Sequence, residues 1–306
     1  MNNHEKLVIG TRGSKLALCQ TQQIKENILR FYPEIEIQIE VIKTKGDLHL
    51  HKSLDKLGGK SVFTSEIELE ILNKNIHFAV HSLKDLPMRI PKGLIYLGSP
   101  KREDPRDVFI SNKWNHINQI PPNGIIATGS IRRSSQIKIL RPDIDIVGLR
   151  GNVETRIAKL NKNNWDGIIT AAAAMNRLSL NSRINQYLDI ENFTPAAGQG
   201  AIGIELNNHD KSLIELLMPI IDFETTLSCK AERLFLSYIN CGCQNPVGCY
   251  ARIMNGELLI TAYIGNYRSS KVIYKEVKGP PDLYKNLVSQ LGDEVLKYDL
   301  KDYIKN

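Results

Sequence analysis

Through its first 206 residues the sequence keeps switching hydrophobic period, and few folds are open to a chain that does so. Leu7 to Thr11 reads as a buried strand, and Ser14 is placed to cap a helix running towards Arg30. Ile35, Ile37, Ile39 and Val41 alternate with Glu36, Gln38 and Glu40, the pattern of a half-buried strand. Ser65-Glu-Ile-Glu68 has the spacing of a capping box and predicts a short helix, with a strand at Phe78 to Ser82 after it. Pro87, Pro91, Pro100 and Pro105 interrupt the alternation, which then restarts. Strands are expected at 108–110, 125–128, 145–149 and 167–171, and helices at 130–140 and 152–161. Alternating strands and helices imply largely parallel sheets covered by helices, here in two α/β units.

A different pattern begins near Asp222. Leu227, Ala231, Leu234 and Tyr238 share one helical face, and Asn255-Gly256 then separates two β-type runs, a strong hairpin signal. A third strand is expected at Val272 to Val277, and Leu283, Leu287, Leu291 and Val295 space an amphipathic C-terminal helix. This last region is α+β, so a length of 306 residues, which on its own suggests about two domains, is better divided into three.

Charge narrows the function. The chain carries 40 Lys and Arg against 33 Asp and Glu, net +7, and the excess is concentrated. Between Arg102 and Arg183 lie nine arginines and four lysines against seven acids, which accounts for +6 of the total. The preference for arginine, whose planar fork matches carboxylate and phosphate, favours an anion site over a generally basic surface. Aromatic residues make up only 7% and the cations stand singly, so a nucleic-acid surface built on stacking platforms is not expected. The segment Met1 to Lys6 has no basic stretch leading into an apolar one, and no run approaches the roughly 18 apolar residues of a membrane span. Five cysteines, with Cys241, Cys243 and Cys249 spaced C-x-C-x5-C and no histidine near them, fit neither a disulfide framework nor a zinc site. A cytoplasmic protein with reduced thiols and no bound metal is expected.

Several phosphate motifs fail on context. Gly198-Gln-Gly200-Ala-Ile-Gly203 matches a dinucleotide fingerprint but leads into a strand-like run, where a helix should open. Gly59-Lys60-Ser61 resembles the end of a Walker A loop, yet Leu54 occupies the position of its first glycine. His77-x-x-x-His81 straddles a strand and reads as structural. What remains is a recurring arrangement in which each predicted strand ends in a loop with a cation or a carboxylate. These are Arg12 and Ser14; Lys84 and Asp85; Ser130, Arg132 and Arg133; and Arg150, Asn152 and Arg156. Ligands of open α/β sheets bind at the carboxyl ends of strands, so the spacing predicts one anion cleft between two α/β units.

These residues belong to a longer series of motifs: Thr11-Arg-Gly-Ser-Lys-Leu-Ala17, Leu57-Gly-Gly-Lys-Ser-Val-Phe63, Ala79-Val-His-Ser-Leu-Lys-Asp-Leu-Pro87, Arg102-Glu-Asp-Pro-Arg-Asp107, Gly129-Ser-Ile-Arg-Arg133, Leu149-Arg-Gly-Asn-Val153, Pro195-Ala-Ala-Gly-Gln-Gly-Ala201 and Gly242-Cys-Gln-Asn-Pro-Val-Gly248. In this order they resemble the porphobilinogen deaminase (hydroxymethylbilane synthase) family along almost the whole chain. The resemblance implies two periplasmic-binding-protein-like α/β domains, 1–100 with 201–218 and 106–194, around a cleft, and a smaller α+β domain at 223–306. It also implies a monomeric cytoplasmic transferase of tetrapyrrole (haem) biosynthesis. Such an enzyme condenses four porphobilinogen molecules head to tail into hydroxymethylbilane and releases ammonia, needing neither nucleic acid nor membrane.

By the same resemblance the enzyme holds a dipyrromethane cofactor through a thioether to Cys243, a sensible use of a thiolate. Asp85 is the implied catalytic residue. Loss of ammonia leaves an azafulvene whose positive charge a carboxylate can stabilise, and the same group can remove the junction proton. Every pyrrole bears an acetate and a propionate, which gives the cations a partner. Lys84, Asp85, Ser130, Arg132, Arg133 and Arg150 are implied to hold the cofactor, and Arg12, Ser14, Arg150, Arg156, Arg177 and Gln199 the substrate. Lys43 to Ser61 corresponds to a mobile covering loop, with Lys56, Lys60 and Phe63 in or beside it. The chain departs from the family pattern where Cys241 replaces a glycine beside the attachment point, Asn245 replaces an aliphatic residue, and Ala174 and Ser179 replace glycines around Arg177.

Overall fold

The computed structural model describes residues 6–44, 64–241, 245–266 and 271–303. The chain divides into two compact units, Met1–Arg102 with Ala201–Thr226, and Glu103–Gly200 with Leu227–Asn306. Strands and helices are numbered here in chain order over the described residues.

The first unit is built on β1 (Lys6–Thr11), β2 (Glu36–Val41), β3 (Phe78–Ser82), β4 (Leu94–Gly98) and β10 (Ile202–Asn207), in the sheet order β2-β1-β3-β10-β4. β2, β1 and β3 are parallel, and β10 runs antiparallel between β3 and β4. Helix α1 (Lys15–Phe31) packs Ile24 and Ile28 against Leu7, Ile9, Phe78 and Ile204 on one face. On the other, α2 (Ser65–Leu72) sets Ile67 and Ile71 against Ile76 and Ala79. Covering both faces explains why the central strands are nearly continuous apolar runs. One local expectation is corrected. Thr64, not Ser65, precedes the first turn of α2, no side chain caps it, and Glu68 is buried instead of reaching back to the helix start.

In the second unit β5 (Asp107–Ile110), β6 (Ile125–Ala127), β7 (Asp145–Val147), β8 (Gly167–Ala171) and β9 (Gln186–Leu188) form a sheet of order β7-β6-β8-β5-β9. Again three strands are parallel, and the next, β5, runs antiparallel to β8. Both sheets therefore share one arrangement, and in both the antiparallel strand follows a point where the chain passes from one unit to the other. At one such point Gly200 has φ +88°, and a Cβ there would lie 2.4 Å from the carbonyl oxygen of Glu103, so only glycine fits. The strand at Ile202–Asn207 bears out rejection of the dinucleotide motif. Helices α3 (Ile131–Leu140) and α4 (Val153–Lys162) begin at Ser130 and Asn152, whose side chains accept from the backbone N–H of Arg133 and Thr155.

The C-terminal part has its own sheet, β11 (Val247–Met254), β12 (Glu257–Gly265) and β13 (Val272–Gly279). Met254 pairs with Glu257, and Asn255 and Gly256 both have positive φ, the two-residue hairpin that Asn-Gly predicts. The helix Phe223–Tyr238 buries Ala231, Phe235 and Ile239 near its end, while Tyr238, expected on the buried face, is 39% exposed. Its hydroxyl needs a polar partner and donates to Asp293 at 2.6 Å.

Candidate active site

In the first unit the site begins with a sharp amphipathic contrast in Leu83-Lys84-Asp85-Leu86. Leu83 and Leu86 are fully buried, and the short 3₁₀ turn between them leaves Asp85 exposed and Lys84 half-buried directly after β3. The Leu83 N–H donates to Ala201, just ahead of β10, and fixes the turn against the sheet. At the neighbouring end of β1, Ser14 caps α1 by accepting from the Ala17 N–H at 3.2 Å. Arg12, Ser14, Gln20, His81, Ser82 and Asp85 line one cavity with about 440 Å³ of empty space open to solvent. Three of the expected site residues, Arg12, Ser14 and Asp85, therefore meet at one place.

In the second unit the expected arginines separate into two kinds. Arg132 and Arg133 open α3 yet are only 4% and 5% exposed, and both turn onto Asp107 at the start of β5. Arg133 reaches Asp107 Oδ1 through Nε at 2.9 Å and Nη2 at 2.7 Å, and Arg132 Nη2 lies 2.8 Å from Oδ2. Arg132 also donates to the Thr194 carbonyl and Arg133 to that of Ile169. Gln199 joins them, its amide donating to Asp107 Oδ1 at 3.0 Å and to the Pro105 carbonyl at 2.8 Å. Burial alone would raise the Asp107 carboxyl, but the charges of Arg132 and Arg133 outweigh it and hold the group below its ordinary value. Tyr263, close enough for Arg132 to act on it, is pushed by burial up to about 12 and stays neutral.

Two guanidiniums thus share one carboxylate in the interior, and the cluster keeps a surplus positive charge. Arg132 and Arg133, expected to hold the cofactor, each also pair with a carboxylate of the chain itself. The remaining cations lie nearer the surface. Arg150 is exposed, Arg156 Nε donates to the Gly151 carbonyl at 2.8 Å, and Arg177 Nη2 donates to that of Gly200 at 2.9 Å. Ser130, the cap of α3, directly precedes the buried pair.

The expected attachment residue Cys243 and the loop residues Lys56, Lys60 and Phe63 lie outside the described residues. What leads to Cys243 is well defined. Asn240 takes a left-handed conformation (φ 51°), Cys241 donates its N–H to Leu236, and the helix Phe223–Tyr238 ends there with the Cys241 side chain 2% exposed. Ser179, where the family pattern has glycine, has φ 56°, the conformation for which glycine is the usual choice.

Sequence reasoning gave no role to Asp107, although a quoted motif contains it, nor to Glu232. Fully buried, Glu232 accepts from the N–H groups of Gly198 at 2.6 Å and Ala251 at 2.8 Å, and so holds the turn that presents Gln199. Asp107 follows the charged run Arg102 to Arg106, and Glu232 stands between Lys230 and Arg233, so neither is marked in the sequence as a buried acid.

Residues 7–215 match the family model "Porphobilinogen deaminase, dipyromethane cofactor binding domain", and residues 226–297 match "Porphobilinogen deaminase, C-terminal domain". The chain is 41% identical to the porphobilinogen deaminase of Syntrophobacter fumaroxidans over 94% of its own length and 93% of that protein. It is 40% identical to that of Clostridioides difficile, covering 97% of this chain and 98% of that protein. Among solved structures it is similar to the methionine-binding protein MetQ, with 8% identity, a TM-score of 0.45 and coverage of 71% of this chain and 89% of that one. On two family models that together span most of its length, and on relatives matched nearly end to end, this chain belongs to the porphobilinogen deaminase family.

Proposed function

We propose that this chain is a transferase that condenses four porphobilinogen molecules head to tail into hydroxymethylbilane, releasing ammonia, for tetrapyrrole biosynthesis. It does so on a dipyrromethane held by the Cys243 thiolate as a thioether. The observation that carries this reading is the convergence of Arg12, Ser14 and Asp85 on one cavity, an acid and a cation at the ends of neighbouring parallel strands.

The chemistry of the donor set fits a polycarboxylate cofactor, because the buried Arg132–Asp107–Arg133 cluster has one cation more than its own acid can balance. By the family resemblance, Lys84, Asp85, Ser130, Arg132, Arg133 and Arg150 are the residues that would hold it. When bound, dipyrromethane supplies the pyrrole α-carbon on which the product grows. Asp85, exposed on its rigid turn, stabilises the positive charge that spreads onto the substrate pyrrole nitrogen as ammonia departs. Its carboxylate then accepts the proton leaving the new junction carbon. Arg12, Ser14, Arg150, Arg156, Arg177 and Gln199 fix the acetate and propionate groups, where planar two-point contacts orient the ring as well as bind it.

We propose further that the second unit comprises two domains, 106–194 and 223–306, each with its own sheet, beside a first domain of 1–100 with 201–218. No described helix is long and apolar enough to cross a membrane. The reading places the protein in the cytoplasm as a monomer that needs neither nucleic acid nor metal.

Arg150 and Arg156 provide the test. Alanine at either position is expected to leave the protein folded but to stall growth, Arg156→Ala with the cofactor fully loaded and Arg150→Ala with loading reduced as well, so that mass spectrometry after brief incubation with porphobilinogen finds partial chains on the loaded enzyme. A product profile identical to that of the parent in both variants contradicts the assignment of these arginines.

A further inference from the structure

Behind the wall of the first unit's cavity lies a row of ionisable groups that the condensation as described leaves unused. His81, on β3, lines the cavity with Arg12 and Asp85 yet is 5% exposed. Its Nε2 lies 3.0 Å from Oε2 of Glu205, which is fully buried on β10. From the covering helix α2, Glu68 faces inward and feels the charges of both Glu205 and His81. Oε1 of Glu205 and Oε1 of Glu68 are each buried without a hydrogen-bond partner. Such an arrangement costs stability that an apolar trio would not, because buried carboxyl oxygens left unsatisfied lose their hydration without return.

The groups facing His81 are Glu205 from β10, Glu68 from α2, Arg12 from the end of β1, and Asp85 from the turn after its own strand. Burial is the main influence on Glu68 and raises its pKa, and the nearby charge of Glu205 acts in the same direction. Because Nε2 is engaged by Glu205, Nδ1 is the ring nitrogen left to exchange a proton with other groups.

We propose that His81, braced by Glu205 and backed by Glu68, holds the proton that each condensation cycle must move from carbon to nitrogen. This rests on the reading of Asp85 given above. In each cycle the imidazolium gives its proton to the substrate amino group, and the C–N bond breaks with its electron pair leaving on nitrogen as ammonia. The electron pair of the α-carbon forms the new C–C bond. The proton expelled from that carbon passes through Asp85 to Nδ1, which restores the imidazolium. Atoms and charge balance, and the residues end each cycle as they began.

The test uses the full chain, with cofactor loading confirmed by intact mass. His81→Gln is expected to lower kcat about a hundredfold, with KM within about twofold of the parent, and to abolish the alkaline limb of the kcat–pH profile. Glu205→Gln removes the anion that favours the imidazolium, so that limb moves about one pH unit lower. Independently of turnover, the ring nitrogens of His81, assigned in ¹⁵N-histidine protein by their loss in His81→Gln, are expected to titrate at lower pH in Glu205→Gln. A loaded His81→Gln enzyme with the parent's kcat and pH profile, alongside an inactive Asp85→Asn enzyme, overturns the relay and leaves the site reading standing. Normal turnover by Asp85→Asn overturns that reading and the relay with it.

Discussion

Asp85→Asn is expected to fold as the parent does, to bind porphobilinogen with little change, and to lose about 10²–10⁴-fold in kcat. The asparagine keeps the shape and one hydrogen-bonding oxygen but removes both the negative charge and the basic site. Stabilisation of a developing cation and removal of a proton therefore fail together, at the stage where charge appears and not at binding. Stability should hardly move, because the turn is fixed by buried Leu83 and Leu86 and by the Leu83 N–H to Ala201 bond, none of which involves the carboxylate. Single-turnover kinetics and a melting curve read the two effects separately. Turnover within a few-fold of the parent rejects Asp85 as the catalytic group.

Asp107→Asn is expected to be the most damaging substitution for stability. It leaves Arg132 and Arg133 side by side in the interior without a compensating carboxylate and weakens the hold on Gln199, and breaking a buried pair in this way costs about 3–5 kcal/mol. At about 2–4 °C per kcal/mol, the melting of this unit should fall by roughly 6–20 °C at neutral pH. The pH dependence has a definite sign. The folded-state pKa of Asp107 is lowered, so its contribution is present above the ordinary aspartate value near about 3.9 and is lost as pH falls through the folded-state value. Parent and variant should therefore differ most near neutrality and converge in strong acid. Equal melting temperatures at pH 7 contradict the charge-sharing arrangement.

The periodicities made most of the fold legible because parallel strands covered on both faces must be apolar throughout, and caps such as Ser14, Ser130 and Asn152 mark helix starts locally. The strands β4 and β9 were not expected from the sequence. The meeting of Arg12, Ser14 and Asp85 at one cavity was legible because these residues follow neighbouring strand ends. The site was illegible where a side chain's meaning depends on a distant partner. The pairing of Arg133 with Asp107, 26 residues earlier, is one such case. Glu68 reads as a capping residue until the fold brings Glu205 beside it, from far along the chain. His81 reads as structural for the same reason, its partner lying 124 residues away.

The measurement that bears most directly on the function is the intact mass of the purified protein. The parent should exceed its sequence mass by one dipyrromethane unit, Cys241→Ser should keep that increment, and Cys243→Ser should lose it together with activity. A parent protein that is folded, active with porphobilinogen and unmodified in mass would contradict the account.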